Sequence, residues 1–104
     1  MAPTVIIDYG MGNIGSVQGA LDFIGATSVV VNEAKHVERA ESIVLPGVGS
    51  FSAASQILQS TGLMEAVQEA VLVRGTRILG ICLGMQLLGV SGEEGGRSLG
   101  LGLM

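Results

Sequence analysis

The sequence predicts an α/β fold built on a mainly parallel β-sheet. Four short runs rich in Val, Ile and Leu are separated by segments whose apolar residues recur at helical spacing. The runs do not alternate with polar residues, which is typical of strands that are covered on both faces. Strands that alternate with helices indicate an α/β domain with a parallel sheet. The length of 104 residues suits a single domain.

The strands and helices of the first part of the chain follow directly from the sequence. Thr4–Ile7 is a β-branched run that predicts the first strand, and it ends at the glycine-rich turn Asp8–Asn13. Apolar residues recur at helical spacing over residues 14–24, and Gly25 stands where a helix C-cap belongs. Ser28–Val31 predicts the second strand.

The same alternation continues to the end of the chain. The polar stretch Glu33–Glu41 predicts a loop or a short surface helix. Ser50 is a favourable N-cap at the end of a second glycine-rich turn, Pro46–Ser50. The other predicted elements are a strand over Ile43–Leu45, helices over Phe51–Leu58 and Leu63–Val71, a strand over Arg77–Ile81, a helix over Leu83–Leu88 and an irregular stretch over Ser91–Gly102.

The composition narrows the class of protein. Hydrophobic residues make up 48% of the chain and charged residues 13%, which argues against disorder. The net charge of −4 argues against a nucleic-acid partner, and no apolar run is long enough to span a membrane. A single cysteine cannot form an internal disulfide, and the first residues do not resemble a signal peptide. We therefore expect a cytoplasmic protein, and we predict neither a metal nor a cofactor.

Right-handed crossovers and a flavodoxin-like strand order of 2-1-3-4 would place the first, third and fourth strands side by side. The carboxyl ends of these strands carry the three most glycine-rich segments of the chain, Asp8–Asn13, Pro46–Ser50 and Gly80–Gly84. Ligands of such sheets bind outside the carboxyl ends of the strands. The three segments therefore predict one site.

Gly80–Gly84 has the glycine spacing of a nucleophile elbow, with Cys82 in the place of the usual serine. Cys82 would stand at a helix N-terminus, which stabilises negative charge. The Leu83 amide would point to the oxyanion that forms during attack on a carbonyl, and the amide of Val48 or of a neighbouring residue could supply a second donor. The alternative is a buried structural cysteine at a tight turn.

Two other features of the sequence bear on this site. His36 is the only histidine and so a candidate base for a cysteine nucleophile. It precedes the third strand, at the opposite end of the sheet, and we expect it to be a surface residue. Gly10, Gly12 and Gly15 match the spacing of a dinucleotide-binding turn, with Glu33 near the expected acidic position.

Three segments together resemble the glutaminase subunits of imidazole glycerol phosphate synthase, a family of class I glutamine amidotransferases. These segments are Ile7–Asn13, Leu45–Phe51 and Gly80–Leu88, and the similarity runs from residue 3 to residue 104. The last segment is common to several amidotransferases, whereas the first indicates the subunit. The resemblance argues against a nucleotide at the first turn.

The resemblance implies a role for each matching residue. Cys82 would attack the carboxamide of glutamine and release ammonia, with the oxyanion held by the amides of Val48 and Leu83. The implied substrate-binding residues are Gly47, Gly49, Gln86 and Glu94. Asn13 would lie near a cyclase subunit, a (β/α)₈ barrel that receives the ammonia.

Members of this family are about twice as long as the chain and complete their triad with a His-x-Glu pair in the C-terminal half. We therefore expect residues 1–104 to be the N-terminal part of a single amidotransferase domain, with the nucleophile but without its base. Two alternatives stay open. One is another class I amidotransferase, and the other is a non-catalytic flavodoxin-like binding protein in which Cys82 is structural.

Overall fold

The computed structural model describes residues 2–89, 91–92 and 98–103. The strands are β1 (Thr4–Ile7), β2 (Ser28–Val31), β3 (Ser42–Leu45), β4 (Arg77–Gly80), β5 (Ser91–Gly92) and β6 (Ser98–Leu99). The helices are α1 (Ile14–Phe23), α2 (Phe51–Ser60), α3 (Leu63–Leu72) and α4 (Leu83–Leu87), with one turn of 3₁₀-helix at Ala34–His36. The four predicted helices and the four predicted strands are present, and their ends differ from the predicted ends by at most two residues.

The first four strands form one parallel sheet in the order β2-β1-β3-β4, which is the predicted order. The register places Ile6 of β1 opposite Val30 of β2 and Val44 of β3. Leu45 and Gly80, the last residues of β3 and β4, are also opposite each other. The carboxyl ends of the strands therefore meet at one edge of the sheet, and the turns that follow them begin close together.

The apolar core lies on one face of this sheet. Val5, Ile7, Ile43 and Leu45 point to it and pack with buried residues of α2, α3 and α4. The alternate strand residues, such as Ile6, point to the other face. No residue of α1 belongs to the core, and α1 contacts β2, so α1 lies on that other face. Helices thus cover both faces, as predicted.

The helix ends are formed as the sequence indicates. Asn13 Oδ1 accepts a hydrogen bond from the Ser16 amide at the start of α1, and Gly25 follows its end at a φ of +80°. Ser50 Oγ accepts from the Ala53 amide at the start of α2. None of the helices in the described residues is long and apolar enough to cross a membrane.

The prediction of an irregular stretch over Ser91–Gly102 is wrong in part. β5 and β6 pair in antiparallel fashion, and α2 and α3 hold the end of β6 and the segment that follows it. Ser55 Oγ donates to the Leu99 carbonyl at 2.6 Å, and Gln68 Nε2 donates to the Leu101 carbonyl at 2.9 Å. The composition of the stretch does not reveal this order, because the order depends on contacts with distant helices.

Candidate active site

The turn after β1 contacts the turn after β3. A β-carbon added to Gly12 would lie 3.0 Å from Cβ of Pro46, and one added to Gly49 would lie 3.3 Å from Cε of Met11. Gly12 and Gly49 have φ values of +146° and +99°, which residues with side chains rarely adopt. Glycine at these positions therefore permits both the backbone conformation and the close approach of the turns.

The turn after β3 also contacts the start of α4. A β-carbon on Gly47 would lie 3.0 Å from the Gly84 nitrogen and 3.0 Å from Cβ of Leu83. A β-carbon on Gly84 would collide with the Leu45 carbonyl. The structure thus brings together the three glycine-rich segments.

Cys82 occupies the turn between β4 and α4 in a strained conformation. Its φ of 56° and ψ of −121° make it the one non-glycine residue with positive φ among residues 2–89, 91–92 and 98–103. Such a conformation costs about 1–3 kcal/mol and persists only where the surroundings impose it. The side chain is exposed, so the thiol is accessible to a ligand. This exposure contradicts the alternative of a buried cysteine.

One surface groove collects six of the eight residues to which the sequence assigns a role. It is lined by Gly47, Val48, Gly49, Cys82, Leu83, Met85 and Gln86. Every lining residue comes from the turn after β3 or from the turn into α4 and the first helical turn. Glu94, the seventh residue with a predicted role, lies outside the described residues.

The two predicted oxyanion donors do not both face this groove. The Leu83 amide donates to the Gly47 carbonyl at 3.1 Å and is therefore already paired. In a trans peptide the N–H points opposite to the carbonyl, so the Val48 amide points away from Leu83. The assignment of Val48 and Leu83 to an oxyanion hole stays a prediction, and it requires a different orientation of the Gly47–Val48 peptide.

Asn13, the eighth residue with a predicted role, is exposed and does not line the groove. Its side chain caps α1 through the 3.1 Å bond to the Ser16 amide. Its predicted position near a cyclase subunit stays a prediction.

The sequence contains a His-x-Glu spacing that our sequence reasoning missed, at His36 and Glu38. Val37 between them is fully buried, while His36 and Glu38 are exposed. His36 lines a different groove beside β2, together with Val29 and Lys35. This pair therefore does not reach Cys82, and the described lining of the Cys82 groove contains no histidine.

Sequence reasoning also missed a contact beneath the groove. The hydroxyl of Tyr9, at the end of β1, donates to the Pro46 carbonyl at 2.7 Å. Burial raises the pKa of Tyr9 to about 12. Its position two residues after a buried strand was the available signal, because a buried phenol there must find a partner for its hydroxyl.

Comparison with known proteins identifies the family. Residues 12–104 match the sequence profile of the CobB/CobQ-like glutamine amidotransferase domain. The chain belongs to this family. The predicted resemblance to class I glutamine amidotransferases is thereby confirmed.

Curated relatives of this chain carry a more specific name. The imidazole glycerol phosphate synthase subunit HisH of Moorella thermoacetica is 49% identical over 104 residues, which are 100% of this chain and 49% of the relative. The subunit of the same name from Symbiobacterium thermophilum has the same identity and the same coverage. That of Geobacillus kaustophilus is 50% identical over 99 residues, 95% of this chain and 46% of the relative. The chain spans about half the length of the curated relatives it matches.

A solved structure supports the fold of this chain. A crystal structure of a glutamine amidotransferase superposes with a TM-score of 0.79 and covers 96% of this chain and 52% of that protein. The two sequences are 21% identical, so the likeness concerns the fold. The predicted flavodoxin-like architecture is confirmed.

Proposed function

We propose that residues 1–104 form the N-terminal part of a single amidotransferase domain, and that this domain is the glutaminase subunit of an imidazole glycerol phosphate synthase. The observation that carries the proposal is the strained, exposed Cys82 at a strand-to-helix turn, opposite the turn after β3. The relatives named as HisH over the whole chain support the choice of subunit.

The reaction begins with attack of the Cys82 thiolate on the carboxamide carbon of glutamine. The C–S bond forms, the C–N bond breaks, and the amide nitrogen leaves as ammonia after it takes a proton. Water then hydrolyses the glutamyl thioester, which releases glutamate and regenerates the thiolate. The proton transfers need a base, which the described lining of the groove does not supply. We assign that role to a histidine outside residues 1–104, as the resemblance implies.

The oxyanion of the tetrahedral intermediate requires the Gly47–Val48 peptide to turn over. This rotation would break the bond between the Leu83 amide and the Gly47 carbonyl, and it would aim the Val48 amide at the groove. The rotation changes ψ of Gly47 and φ of Val48, so one of its two ends is a glycine, where the backbone has the greater conformational freedom. Both amides would then donate to the oxyanion.

We assign binding of the glutamine molecule to Gly47, Gly49 and Gln86, which line the groove beside Cys82. Glu94 is the fourth ligand that we propose, for the α-ammonium of glutamine, because a carboxylate suits a cation.

The ammonia would pass to a cyclase subunit in a heterodimer, which forms imidazole glycerol phosphate and an aminoimidazole carboxamide ribotide. We place Asn13 at this interface because the turn after β1 adjoins the groove. We also place the enzyme in the cytoplasm, where the reducing conditions keep a lone catalytic thiol free.

The test is replacement of Cys82 by alanine in the full-length protein, meaning the whole translated polypeptide that contains residues 1–104. With the cyclase subunit present, glutamine-driven synthesis should fall at least about 10³-fold, because the described lining of the groove offers no other nucleophile. Synthesis driven by added ammonium should continue. The control is His36→Gln, which should keep both activities. Glutamine hydrolysis by Cys82→Ala would contradict the assignment.

The family profile, with its CobB/CobQ-like description, favours one alternative, an amidotransferase that serves a different synthase. The same assay separates the two candidates. Such a protein would hydrolyse glutamine through Cys82 but would neither co-purify with the cyclase subunit nor support its reaction.

A further inference from the structure

Tyr9 is the only tyrosine of the chain, and the chemistry proposed above leaves it without a role. It stands between β1 and α1 and is 7% exposed. Its hydroxyl donates to the Pro46 carbonyl at 2.7 Å, which ties the end of β1 to the residue that follows β3. Pro46 in turn precedes the Gly47–Val48 peptide, whose orientation decides whether the groove has oxyanion donors.

The hydroxyl of Tyr9 also limits the space around Gly47. A β-carbon on Gly47 would lie 2.6 Å from this oxygen, closer than real β-carbons approach other atoms. The phenol therefore packs directly against the backbone of Gly47. Tyr9 holds the Pro46 carbonyl, and the Leu83 amide holds the Gly47 carbonyl. The Pro46–Gly47 and Gly47–Val48 peptides are therefore anchored by different residues.

We propose that Tyr9 is a positioning residue that fixes the Pro46–Gly47 peptide, so that reorientation of the backbone is confined to the Gly47–Val48 peptide beside Cys82. This role rests on the proposed glutaminase function. When the Leu83 amide is released to an oxyanion, the bond from Tyr9 keeps the preceding peptide in place. The Val48 amide then reaches one defined position rather than a range of positions, which is the condition for strong stabilisation of a transition state.

The electrostatics of Tyr9 suit this role. Burial raises the pKa of Tyr9 to about 12, so the phenol stays protonated and able to donate throughout the physiological range. A phenolate would instead repel the Pro46 carbonyl oxygen, because it could only accept hydrogen bonds.

The chain offers a matched control for this bond at the opposite end of the sheet. Thr76 is 6% exposed, and its hydroxyl donates to the Ala40 carbonyl at 2.8 Å. Tyr9→Phe and Thr76→Val each remove one buried hydroxyl that bonds a carbonyl next to β3. The two variants should therefore lower the melting temperature to a similar extent, while only Tyr9→Phe acts on the groove.

The experiment uses the full-length protein with its cyclase subunit. We expect Tyr9→Phe to lower kcat for glutamine hydrolysis by about 10-fold to 100-fold, less than the complete loss of an oxyanion donor, with KM within twofold. Thr76→Val should keep kcat within twofold, and both variants should retain the ammonium-driven reaction. An equal loss of kcat in both variants, or an unchanged kcat in Tyr9→Phe, would overturn the proposal.

A second measurement is independent of activity. Hydrogen exchange of the Leu83 amide, which donates to the Gly47 carbonyl, should become faster in Tyr9→Phe and stay unchanged in Thr76→Val. Unchanged exchange in Tyr9→Phe would overturn the positioning role and leave the glutaminase function intact. If the wild type does not hydrolyse glutamine, the proposed function is refuted. Faster exchange in Tyr9→Phe would in that case still support the anchoring of the Pro46–Gly47 peptide by Tyr9.

Discussion

One face of the sheet packs against α2, α3 and α4, whereas among the described residues the other face packs only against α1. The three helices on the first face contribute Phe51, Leu58, Val67 and other buried residues to a continuous core. α1 has no buried residue, and its last residue, Phe23, is 92% exposed. Leu79 of β4 shares the α1 face with Val44 and is 59% exposed. The two faces thus differ in coverage although the strands between them are continuous apolar runs.

This difference shows where the apolar burial of the described residues is concentrated. Burial of a large apolar side chain stabilises a fold by about 1.5–3 kcal/mol, and nearly all such side chains here point to the first face. The groove of Cys82 lies at the edge of that face, since Leu83 and Leu87 of α4 belong to the core. The elements that support the candidate site therefore pack on the first face, which three helices cover.

The two phenylalanines of the chain give the strongest test of this comparison, and Phe51 should show the larger effect. Phe51 begins α2 and is 2% exposed. Phe51→Ala in the full-length protein should lower the free energy of unfolding by about 3–5 kcal/mol, because a buried aromatic ring leaves a cavity. Urea denaturation monitored by circular dichroism measures this loss. A loss below about 1 kcal/mol would show that the first face is not the stable one.

The second prediction concerns alkaline pH and Tyr9, which belongs to the core of the first face. Burial raises the pKa of Tyr9 from 10.0 to about 12, so folding favours the neutral phenol. The resulting stabilisation is present in full well below pH 10 and is lost as the pH rises from 10 to 12, by about 2–3 kcal/mol in all.

The measurement is the free energy of unfolding at several pH values, in the wild type and in Tyr9→Phe. The variant lacks the titrating phenol, so only the wild type loses this stabilisation. The excess in free energy of unfolding of the wild type over the variant should therefore shrink above pH 10. A constant difference from pH 8 to pH 12 would contradict the raised pKa.

Much of this architecture could be predicted from the sequence, because the relevant signals are local. The β-branched run Thr4–Ile7 and the glycine spacing of Gly80–Gly84 each specify a conformation with few alternatives. The bond between the Leu83 amide and the Gly47 carbonyl could not be predicted, since it depends on the orientation of one peptide in a turn between glycines.

The difference in coverage between the two faces of the sheet could not be predicted from the sequence either. The spacing of Ile14, Val17 and Leu21 predicts a helix with an apolar side, and α1 is indeed a helix. How deeply that side is buried depends on what packs against it. A helical period contains no information on this point, whereas tertiary contacts decide it.

The third prediction compares the N-caps of two helices of equal length. Asn13 caps α1 and Ser50 caps α2, and each helix has ten residues. Replacement of either by alanine should lower the free energy of unfolding by about 1 kcal/mol. Only Asn13→Ala should also accelerate hydrogen exchange along the whole helix, because α1 lacks the buried side chains that hold α2 in place. Equal protection of α1 and α2 in the two variants would indicate that both helices are equally anchored.

The smallest effect is expected at Phe23, the counterpart of Phe51. Its ring is almost entirely in solvent, so Phe23→Ala removes little burial, and alanine is the better helix former by a few tenths of a kcal/mol. The free energy of unfolding should therefore change by less than about 0.5 kcal/mol in either direction, measured by the same urea titration as for Phe51→Ala. The ratio of the two effects is the sharpest measure of the difference between the faces, because the substitution is chemically identical. A loss of more than about 2 kcal/mol at Phe23 would mean that the ring is buried in the full-length protein, and the contrast between the two faces would then be limited to the described residues.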